Sequence, residues 1–380
     1  MELVELGSIL HMEKGKKPLA QQPTMTEGFL PYVDIKAFER GIVDNYATVE
    51  KSLLCEAGDL LIVCDGSRSG LTGRAIKGVV GSTLSKIYAD GLDTEYLRYF
   101  IQSKYTLLNT QKKGTGTPHL NAEILEKSKL VVPSLEKQKD VISRIEELFS
   151  SLDNAVETLN KTKEQLAVYR QAVLKEAFEG IDTCAYKEIT SLCDNIVDCP
   201  HSTPKWVHNG KLCLRTTNFR RGYLDLSEKN YVSVETYNER ITRLKPEPGD
   251  VLFSREGAIL GLACIIPSGL EICMGQRMML LRPSKEMNNR YLMHYLNSPI
   301  SRQLIVENVG GSASPHINVG DIKRFKIPFV NRNKQEEIVS MVDARLSLCD
   351  SIEATVDNAL AKAEAMRQSI LKEAFEGRLV

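Results

Sequence analysis

The heptapeptide LKEAFEG occupies Leu174–Gly180 and recurs at Leu371–Gly377, an offset of 197 residues. At the same offset, GTGTPHLN (Gly114–Asn121) aligns with GSASPHIN (Gly311–Asn318), and the register then holds without a gap as far as the heptapeptide. A duplication of this length sets the domain count, because each copy must fold as a unit of its own. The sequence therefore predicts one structural unit that is used twice.

Weaker similarities extend the duplication toward the N-terminus. Their offsets drift between 181 and 195 residues, so insertions separate them, but their order is the same in both halves. The aligned pairs are PYVDIKAFERG (Pro31–Gly41) with LCLRTTNFRRG (Leu212–Gly222), GDLLIV (Gly58–Val63) with GDVLFS (Gly249–Ser254), and EYLRYFIQS (Glu95–Ser103) with RYLMHYLNS (Arg290–Ser298).

Composition is that of a globular protein. The chain has 380 residues, too many for one ordinary core, with 42% hydrophobic and 26% charged residues. It has no run of 18 apolar residues, and its first residues lack the basic start and apolar stretch of a signal peptide. Nine cysteines without closely spaced pairs favour free thiols over disulfides or a zinc site. We therefore expect a cytoplasmic protein that neither spans a membrane nor binds a metal.

Each copy ends in a long segment with helical character. No proline or glycine interrupts Glu136–Glu179 or Asn333–Glu376, and a glycine follows each as a C-terminal stop. Apolar residues recur every seven positions, the spacing of helices packed side by side. They are Ile145, Leu152, Leu159, Leu166 and Val173 in the first copy, and Val342, Cys349, Val356, Ala363 and Ile370 in the second. We expect the two helices to pack antiparallel; two separate solvated helices are the alternative.

The segments before the helices are predicted to be mixed α/β heads. Short apolar runs bounded by Gly, Asp or Pro are typical of strands, as in DLLIVC (Asp59–Cys64), DVLFS (Asp250–Ser254) and MMLLRP (Met278–Pro283). Tyr96–Thr110 and Arg290–Ile305 have helical periodicity. The predicted fold class is α/β, with mixed α+β heads and long antiparallel coiled-coil helices, internally duplicated and pseudo-twofold symmetric.

This arrangement resembles the specificity (S) subunit of type I restriction–modification systems. The resemblance rests on GTGTPHLN…KQKDVISRIEELF (Gly114–Phe149), its copy GSASPHIN…KQEEIVSMVDARL (Gly311–Leu346), the paired LKEAFEG, and DCPHSTPKW (Asp198–Trp206). It covers essentially the whole chain, in the order head, helix, head, helix. The implied boundaries are residues 1–133 and 181–330 for two target recognition domains, and residues 134–180 and 331–380 for two spacer helices.

The resemblance implies a DNA-reading subunit without an active site of its own, within a site-specific adenine methyltransferase and endonuclease complex. Each head would read one half of a bipartite double-stranded target. The helix pair would set the gap and dock two methyltransferase (M) subunits. S-adenosylmethionine would belong to the M subunits, and ATP with Mg²⁺ to restriction (R) subunits where these are present. No cofactor would bind to this chain itself.

Catalytic motifs are missing from the sequence. GSRSGLTG (Gly66–Gly73) lacks the GK[ST] of a phosphate-binding loop, and neither an adenine-methylation tetrad nor H-E-x-x-H occurs. We therefore predict no catalytic, cofactor-binding or metal-binding residue. Two alternatives remain open: a two-headed coiled-coil scaffold whose heads bind protein, and an enzyme with an unrecognised motif. Salt-sensitive, sequence-dependent DNA binding would argue against the scaffold, and turnover by the purified chain would support the enzyme.

Because the net charge is zero, DNA binding needs local basic patches or a basic partner. Basic residues in glycine-rich loops can approach phosphates, and arginine can pair with guanine. The predicted DNA-binding residues are Lys16, Lys17, Arg68, Arg74, Lys112, Lys113 and Thr115 in the first head, and His201, Thr203, Lys205, Arg215, Arg220, Arg221, Arg255, Arg277 and Ser312 in the second. The competing interpretation of each is ordinary surface polarity. For PH[LI]N we favour a turn in which Asn121 or Asn318 caps the next helix.

Large side chains near the helix ends are predicted to anchor a protein partner, because aromatic residues and arginine dominate interfaces. They are Tyr169, Arg170, Phe178, Met366, Arg367 and Phe375. In the alternative interpretation, Phe178 and Phe375 hold the two helices to each other.

Overall fold

The computed structural model describes residues 3–114, 116, 118–181, 185–309 and 315–379. It divides into two compact units. Unit 1 is Met1–Asn160 with Asp357–Val380, and unit 2 is Lys161–Val356. Head 1 (residues 1–133) belongs to unit 1 and head 2 (residues 181–330) to unit 2. The division falls inside both long helices, so each unit holds one head and a part of each helix.

Head 1 consists of short strands and short helices. Its strands are β1 (Leu3–Glu5), β2 (Leu10–Lys14), β3 (Gln21–Gln22), β4 (Phe29–Val33), β5 (Tyr46–Thr48), β6 (Leu54–Cys55), β7 (Leu60–Val63), β8 (Thr72–Arg74), β9 (Gly78–Val80), β10 (Leu84–Ala89) and β11 (Lys129–Val131). Its helices are α1 (Ile35–Arg40), α2 (Thr94–Ser103), α3 (Tyr105–Thr110) and α4 (Ala122–Glu126).

Strand β7 lies between two cores of head 1. One sheet has the order β2-β10-β7-β8, another has the order β3-β5-β4-β9-β6, and β1 pairs with β11. Alternate residues of a strand face opposite sides of its sheet. Leu60 and Ile62 join the core beneath α2, whereas Leu61 and Val63 join a core with Val33. The fully apolar run in the sequence reflects this burial on both faces.

Helix α5 (Leu135–Phe178) follows head 1, and head 2 comes next. The strands of head 2 are β12 (Ala185–Glu188), β13 (Cys193–Asp198), β14 (Trp206–Val207), β15 (Lys211–Leu214), β16 (Tyr231–Val232), β17 (Val251–Ser254), β18 (Ala263–Ile265), β19 (Ile272–Met274), β20 (Met278–Pro283) and β21 (Lys326–Phe329). The helices are α6 (Val234–Arg240), α7 (Asn289–Leu296), α8 (Pro299–Asn308), α9 (Val319–Lys323) and the final α10 (Arg332–Phe375).

The two heads share one topology, so the predicted duplication is confirmed. The order β13-β20-β17-β18 repeats β2-β10-β7-β8, and the parallel pair β15-β19 repeats the parallel pair β4-β9. Helix α6 has no counterpart between β5 and β6. It lies where the sequence offset rises from 181 to 191 residues, and it is therefore an insertion in head 2.

The predicted strands β7, β17 and β20 are confirmed, but each predicted helical segment of the heads is two helices. Lys104 separates α2 from α3. Pro299 begins α8, because proline fits the first helical position and cannot continue α7. The cysteines in the described part of the chain are free thiols, as predicted. Among the described residues, no helix is both long and apolar enough to cross a membrane.

The long helices begin and end within one residue of the predicted boundaries, and each has 44 residues. Seam residues are buried or half-buried, as the seven-residue spacing predicts. In unit 2, Arg170 lies 2.6 Å from Asp350, and Glu176 lies 2.6 Å from Arg345. The residue numbers rise on one helix as they fall on the other, so the helices run antiparallel there.

Each long helix ends against a head helix in the same way. Phe178 is buried in unit 2 and Phe375 is half-buried in unit 1, each meeting two aromatic rings edge-on at 5.1 and 5.3 Å. The partners are Tyr291 and Tyr295 of α7 for Phe178, and Tyr96 and Phe100 of α2 for Phe375. Such pairs contribute about 0.5–1.5 kcal/mol beyond area burial.

A fully buried glutamine fixes the start of each long helix to its head. The side-chain oxygen accepts a hydrogen bond from a backbone N–H beside the head helix, and the amide donates to two backbone carbonyls. For Gln138 the partners are Asp93, Gly91 and Pro133, at 2.7, 2.8 and 2.9 Å. For Gln335 they are Asn288, Glu286 and Val330, at 2.7, 3.0 and 2.9 Å. The duplicated Lys-Gln pair therefore marks a duplicated joint.

Candidate nucleic-acid interface

A cleft of about 200 Å³ opens on head 2 between the loop after β13 and the turn from β19 to β20. We call it the head 2 cleft. Its lining residues are Thr203, Pro204, Trp206, Arg215, Thr216, Gln276 and Arg277. The fold thus brings together three predicted DNA-binding residues, Thr203, Arg215 and Arg277, which are far apart in the chain.

The only tryptophan of the sequence lies at the surface of this cleft. Trp206 is 40% exposed, and the Arg215 guanidinium lies 5.6 Å from its ring centroid. That distance is typical of a cation–π contact, which fixes both groups without covering them. An exposed aromatic face can stack on a base, and an arginine beside it can donate hydrogen bonds to the edge of that base.

Gln276 holds the recognition loop, residues 199–206, from the other side of the cleft. Its amide donates to the His201 carbonyl at 2.5 Å, and its side-chain oxygen lies 3.5 Å from the Thr203 hydroxyl. The His201 ring lies 3.2 Å from Asp198 and is 70% exposed. Lys205 is exposed on the same loop. These polar groups face solvent on a loop with a defined backbone.

Arg255 is buried in head 2 and bonded to an acidic residue. It is 8% exposed, and two of its guanidinium nitrogens donate to the Asp198 carboxylate at 2.8 and 3.2 Å. A bidentate pair of this kind has strict geometry. Arg255, a predicted DNA contact, thus forms a mostly buried ion pair with Asp198, close to the start of the recognition loop.

Arg277 occupies an unusual backbone conformation. Its φ of 66° lies in the left-handed region, which side chains of this size rarely adopt. Its carbonyl accepts a hydrogen bond from the Arg255 N–H at 3.1 Å, and its Nε lies 3.6 Å from Glu256. The side chain is 55% exposed. Backbone strain of roughly 1–3 kcal/mol is found preferentially at functional positions, where the surrounding structure maintains it.

The adjacent arginines of FRRG have different surroundings. Arg220 donates to Asp225 at 2.7 Å and to two backbone carbonyls, so its charge is balanced. Arg221 is exposed and lines a separate groove of about 590 Å³ together with Gln171 and Arg302. Of these two arginines, only Arg221 has no acidic partner among the described residues. The predicted contact Ser312 lies outside the described residues.

In head 1, the Asp65 carboxylate bonds to two basic side chains near the end of β2. Asp65 accepts hydrogen bonds from Lys14 at 2.8 Å and from the His119 ring at 2.7 Å. Partial burial acts to raise the pKa of Asp65, but these two hydrogen bonds outweigh it and lower the pKa below its ordinary value. Lys14 was not among the predicted DNA-binding residues, although only Gly15 separates it from the predicted Lys16 and Lys17.

Most other predicted contacts of head 1 have partners within the head. Arg68 pairs with Glu39, Arg74 lies 2.8 Å from Glu95, and Lys113 lies 3.4 Å from Glu123. The Lys112 ammonium donates to the Ser67 carbonyl at 2.6 Å. All four cations remain largely exposed, so a phosphate could compete for them. The predicted contact Thr115 lies outside the described residues.

Lys16 and Lys17 are exposed on the loop after β2. This loop begins at Gly15, close to the backbone between β9 and β10. A Cβ at Gly15 would lie 2.3 Å from the Gly81 carbonyl oxygen, so only glycine fits there. This close approach fixes the base of the loop, and no ion pair joins either lysine to another described residue. Both side chains are available to a polyanion.

The Pro-His turns, Pro118-His119 and Pro315-His316, are hydrogen-bonded to the loops that follow β7 and β17. The Pro118 carbonyl accepts from the Gly66 N–H at 2.8 Å, and the Pro315 carbonyl accepts from the Gly257 N–H at 2.9 Å. Asn121 and Asn318 stand at the predicted N-cap positions of α4 and α9. Neither makes a side-chain cap hydrogen bond, so the turn is confirmed and the cap is wrong.

The predicted partner residues fall into accessible and engaged groups. Tyr169 and Met366 are 45% and 55% exposed. Arg170 and Arg367 instead bond to acidic residues of the other long helix within their own units. Arg367 also lies 4.4 Å from the ring centroid of Phe149. Tyr169 and Met366 therefore offer the most free surface to a partner.

Phe178 and Phe375 pack against the head helices α7 and α2, as described above. Their role in the structure is to join helix ends to heads. Little of the Phe178 ring is left for a partner, since it is 3% exposed.

Comparison with known proteins gives a consistent family. A family model described as the type I restriction modification DNA specificity domain matches residues 1–167 and 215–362. The chain is 24% identical over 406 residues to the MjaVIII specificity subunit of Methanocaldococcus jannaschii, covering 100% of this chain and 92% of that protein. It is 23% identical over 407 residues to the EcoBI specificity subunit of Escherichia coli, covering 99% and 85%.

Solved structures share the fold. A chain from a type I R-M system, solved to explain complex assembly and conformational transition, aligns with a TM-score of 0.74 and 19% identity, covering 99% of this chain and 98% of that one. The HsdS subunit from Thermoanaerobacter tengcongensis aligns with a TM-score of 0.54 and 19% identity, covering 99% and 97%. Since the family model covers most of both heads and both long helices, the chain belongs to the family of type I restriction–modification DNA specificity domains.

Proposed function

We propose that this chain recognises DNA sequence for a type I restriction–modification complex, each head reading one half of a bipartite double-stranded target. One observation carries the proposal: the heads share a sheet order but present different side chains at equivalent loops. At the end of the equivalent strands β2 and β13, head 1 has Lys14, which bonds to Asp65 in the loop after β7, whereas head 2 has Asp198, which bonds to Arg255 in the loop after β17. A common scaffold with unlike contact residues suits two half-sites of unlike sequence.

The head 2 cleft has the chemistry for base reading. Arg215 and Arg277 can each donate two parallel hydrogen bonds, which matches the O6 and N7 acceptors of guanine in the major groove. Trp206 offers an apolar face beside them. Lys16, Lys17 and Lys205 are exposed and suit phosphates, which position a protein on DNA without specifying sequence.

The long helices are proposed to set the unread gap and to dock the M subunits. Each has 44 residues and is therefore about 66 Å long. Tyr169 and Met366 lie off the seam and offer anchors, and because the helix is written twice, two M subunits would dock. In this proposal, S-adenosylmethionine belongs to the M subunits, and ATP with Mg²⁺ to R subunits where present. The chain itself contributes recognition and no chemistry.

The test is to co-express the full chain with the M subunit encoded beside it and to map methylated adenines by long-read sequencing. A single bipartite sequence with a fixed gap is the expected result. Methylation that is absent, or spread over unrelated sequences, would overturn the proposal and favour a protein-binding scaffold.

A matched pair of variants tests the role of the helices. Seven extra residues inserted in both helices, after Asn160 and before Asp357, add about 10.5 Å, which is about three base pairs. The half-sites should stay the same while the gap lengthens. The control has the insertion in one helix only, which breaks the seam and should abolish methylation. An unchanged gap in the double insertion would contradict the spacing role.

A further inference from the structure

The inserted helix α6 carries a buried arginine at its end. Arg240 is 5% exposed. Helix α6 is fixed by Tyr237, which is 3% exposed and packs among Cys213, Val232 and Cys273. The Ser233 side chain caps the helix by accepting from the Thr236 N–H at 3.2 Å. Arg240 therefore projects from a well-anchored element.

All the hydrogen bonds of the Arg240 guanidinium to main chain go to two segments of head 2. Nε donates to the Met274 carbonyl at 2.7 Å, and Nη2 donates to the Gly275 carbonyl at 2.9 Å. On the other side, Nη1 donates to the Ser202 carbonyl at 3.2 Å, and Nη2 lies 3.4 Å from the Pro200 carbonyl. One side chain thus joins the recognition loop to the turn that precedes Gln276.

A buried guanidinium normally has a carboxylate partner, because isolated buried charge is unfavourable. Arg240 makes no ion pair with an acidic residue among those described, and backbone carbonyls satisfy it instead. Its five N–H donors form a rigid planar fork, which lysine cannot reproduce. The arrangement fixes the positions of two backbone segments relative to each other.

Both segments continue into the lining of the head 2 cleft. Thr203, Pro204 and Trp206 come from the recognition loop, whereas Gln276 and Arg277 follow the turn. We propose that Arg240 is a positioning residue for DNA recognition: it sets the width of the head 2 cleft and so the bases that this head accepts. The inference rests on the proposed DNA-reading function. Head 1 has no counterpart of α6, so the device belongs to one half-site only.

The test uses the full chain in complex with the M subunit, with adenine methylation mapped across a genome. Arg240→Met should leave the half-site read by one head unchanged and make the other half-site degenerate, with at least about tenfold lower discrimination at one or more positions. The intact half-site reports that the chain is folded and assembled. Affinity for unrelated DNA, measured with a duplex that lacks the target, should stay within about twofold.

Two further variants keep the test decisive. Arg282→Met removes another arginine of head 2, which bonds to Asp250 at 2.8 Å away from the cleft. It should lower stability and leave both half-sites intact. If Arg240→Met does not yield a complex, Arg240→Lys keeps the charge without the fork and should give the one-sided degeneracy.

The outcomes separate the two proposals. Two unchanged half-sites in the Arg240 variants, or degeneracy that Arg282→Met reproduces, would overturn the positioning role while leaving the DNA-reading function intact. A wild-type complex that methylates no defined sequence would instead overturn the DNA-reading function itself.

Discussion

Head 1 and head 2 fix the same pair of loops with ion pairs of opposite polarity. In head 1 the base, Lys14, ends β2 and reaches Asp65 after β7. In head 2 the acid, Asp198, ends β13 and reaches Arg255 after β17. Lys14 and Asp198 occupy equivalent positions, each opposite the second residue of the neighbouring strand. Both heads therefore have a charged link at this place, with the acid and the base exchanged between the two loops.

The two ion pairs also differ in burial, and this difference decides how much each contributes to the free energy of unfolding. In head 2 the side chains of Arg255 and Asp198 are 10% and 15% exposed. In head 1 the Asp65 side chain is 16% exposed, much like that of Asp198, but the Lys14 side chain is 51% exposed. Breaking a buried pair leaves a charge without solvent, whereas an exposed lysine is readily replaced by water.

The largest expected effect follows from that difference. Arg255→Met should lower the free energy of unfolding of unit 2 by about 3 kcal/mol, because both members of the Arg255–Asp198 pair are mostly buried and Asp198 keeps only the exposed His201 ring beside it. Lys14→Met should cost unit 1 less than about 1 kcal/mol. Urea denaturation followed by hydrogen exchange, which resolves the two units, measures both. Equal losses in the two units would contradict the assignment of the energy difference to burial.

Where the two units have the same contacts, equivalent substitutions should lower their free energies of unfolding by the same amount. Gln138→Leu and Gln335→Leu each leave three backbone groups near a helix start without partners, which should cost about 2 kcal/mol. The same hydrogen-exchange experiment should show equal losses, each confined to its own unit. A loss in one unit only would show that the duplicated joint has lost its role in the other.

Sequence reasoning succeeded where the duplication and the periodicity acted together. The helix ends matched within one residue because the seven-residue spacing and the terminal glycines coincide in both copies. The rise in offset from 181 to 191 residues signalled an insertion, which is α6. The breaks inside Tyr96–Thr110 and Arg290–Ile305 were missed, although Pro299 marks the second of them.

The candidate site was harder to predict, because partners there are distant in sequence. The ion pair of Arg255 could not be predicted, because its partner Asp198 lies 57 residues away in the sequence. Arg240, for which we propose a positioning role, was not among the predicted residues, because it lies in a helix and the candidates were taken from basic loops. Arg215, Arg277 and Thr203 were all predicted as DNA contacts, but only the fold places them in one cleft.

A smaller effect is expected on DNA binding by the assembled complex. Arg277→Ala should relax one half-site by about tenfold, since one arginine reads at most a base pair or two. Combined Lys16→Ala and Lys17→Ala should instead weaken binding to target and unrelated DNA alike, and reduce the salt slope by about one to two. Fluorescence anisotropy at several salt concentrations distinguishes the two patterns. Sequence-selective loss in the lysine variant would show that head 1 reads bases through this loop.

The smallest expected effect is a pH dependence confined to head 1. Hydrogen bonds from Lys14 and His119 outweigh partial burial and hold the pKa of Asp65 below its ordinary value, so the folded state binds fewer protons than the unfolded chain. The stabilisation is therefore full above the ordinary pKa of aspartate and is lost as pH falls through the folded value. Relative to Asp65→Asn, the wild type should gain under about 1 kcal/mol near pH 6, and this gain should shrink below about pH 4.

Denaturation of both proteins across this pH range measures the difference. In a Lys14→Met background the gain should be smaller at every pH, because one of the two donors to Asp65 is gone. A difference that stays constant with pH would mean that Asp65 stabilises head 1 through its backbone turn and not through its charge. Charge in this link would then contribute to stability only in head 2, where Arg255 and Asp198 are both mostly buried.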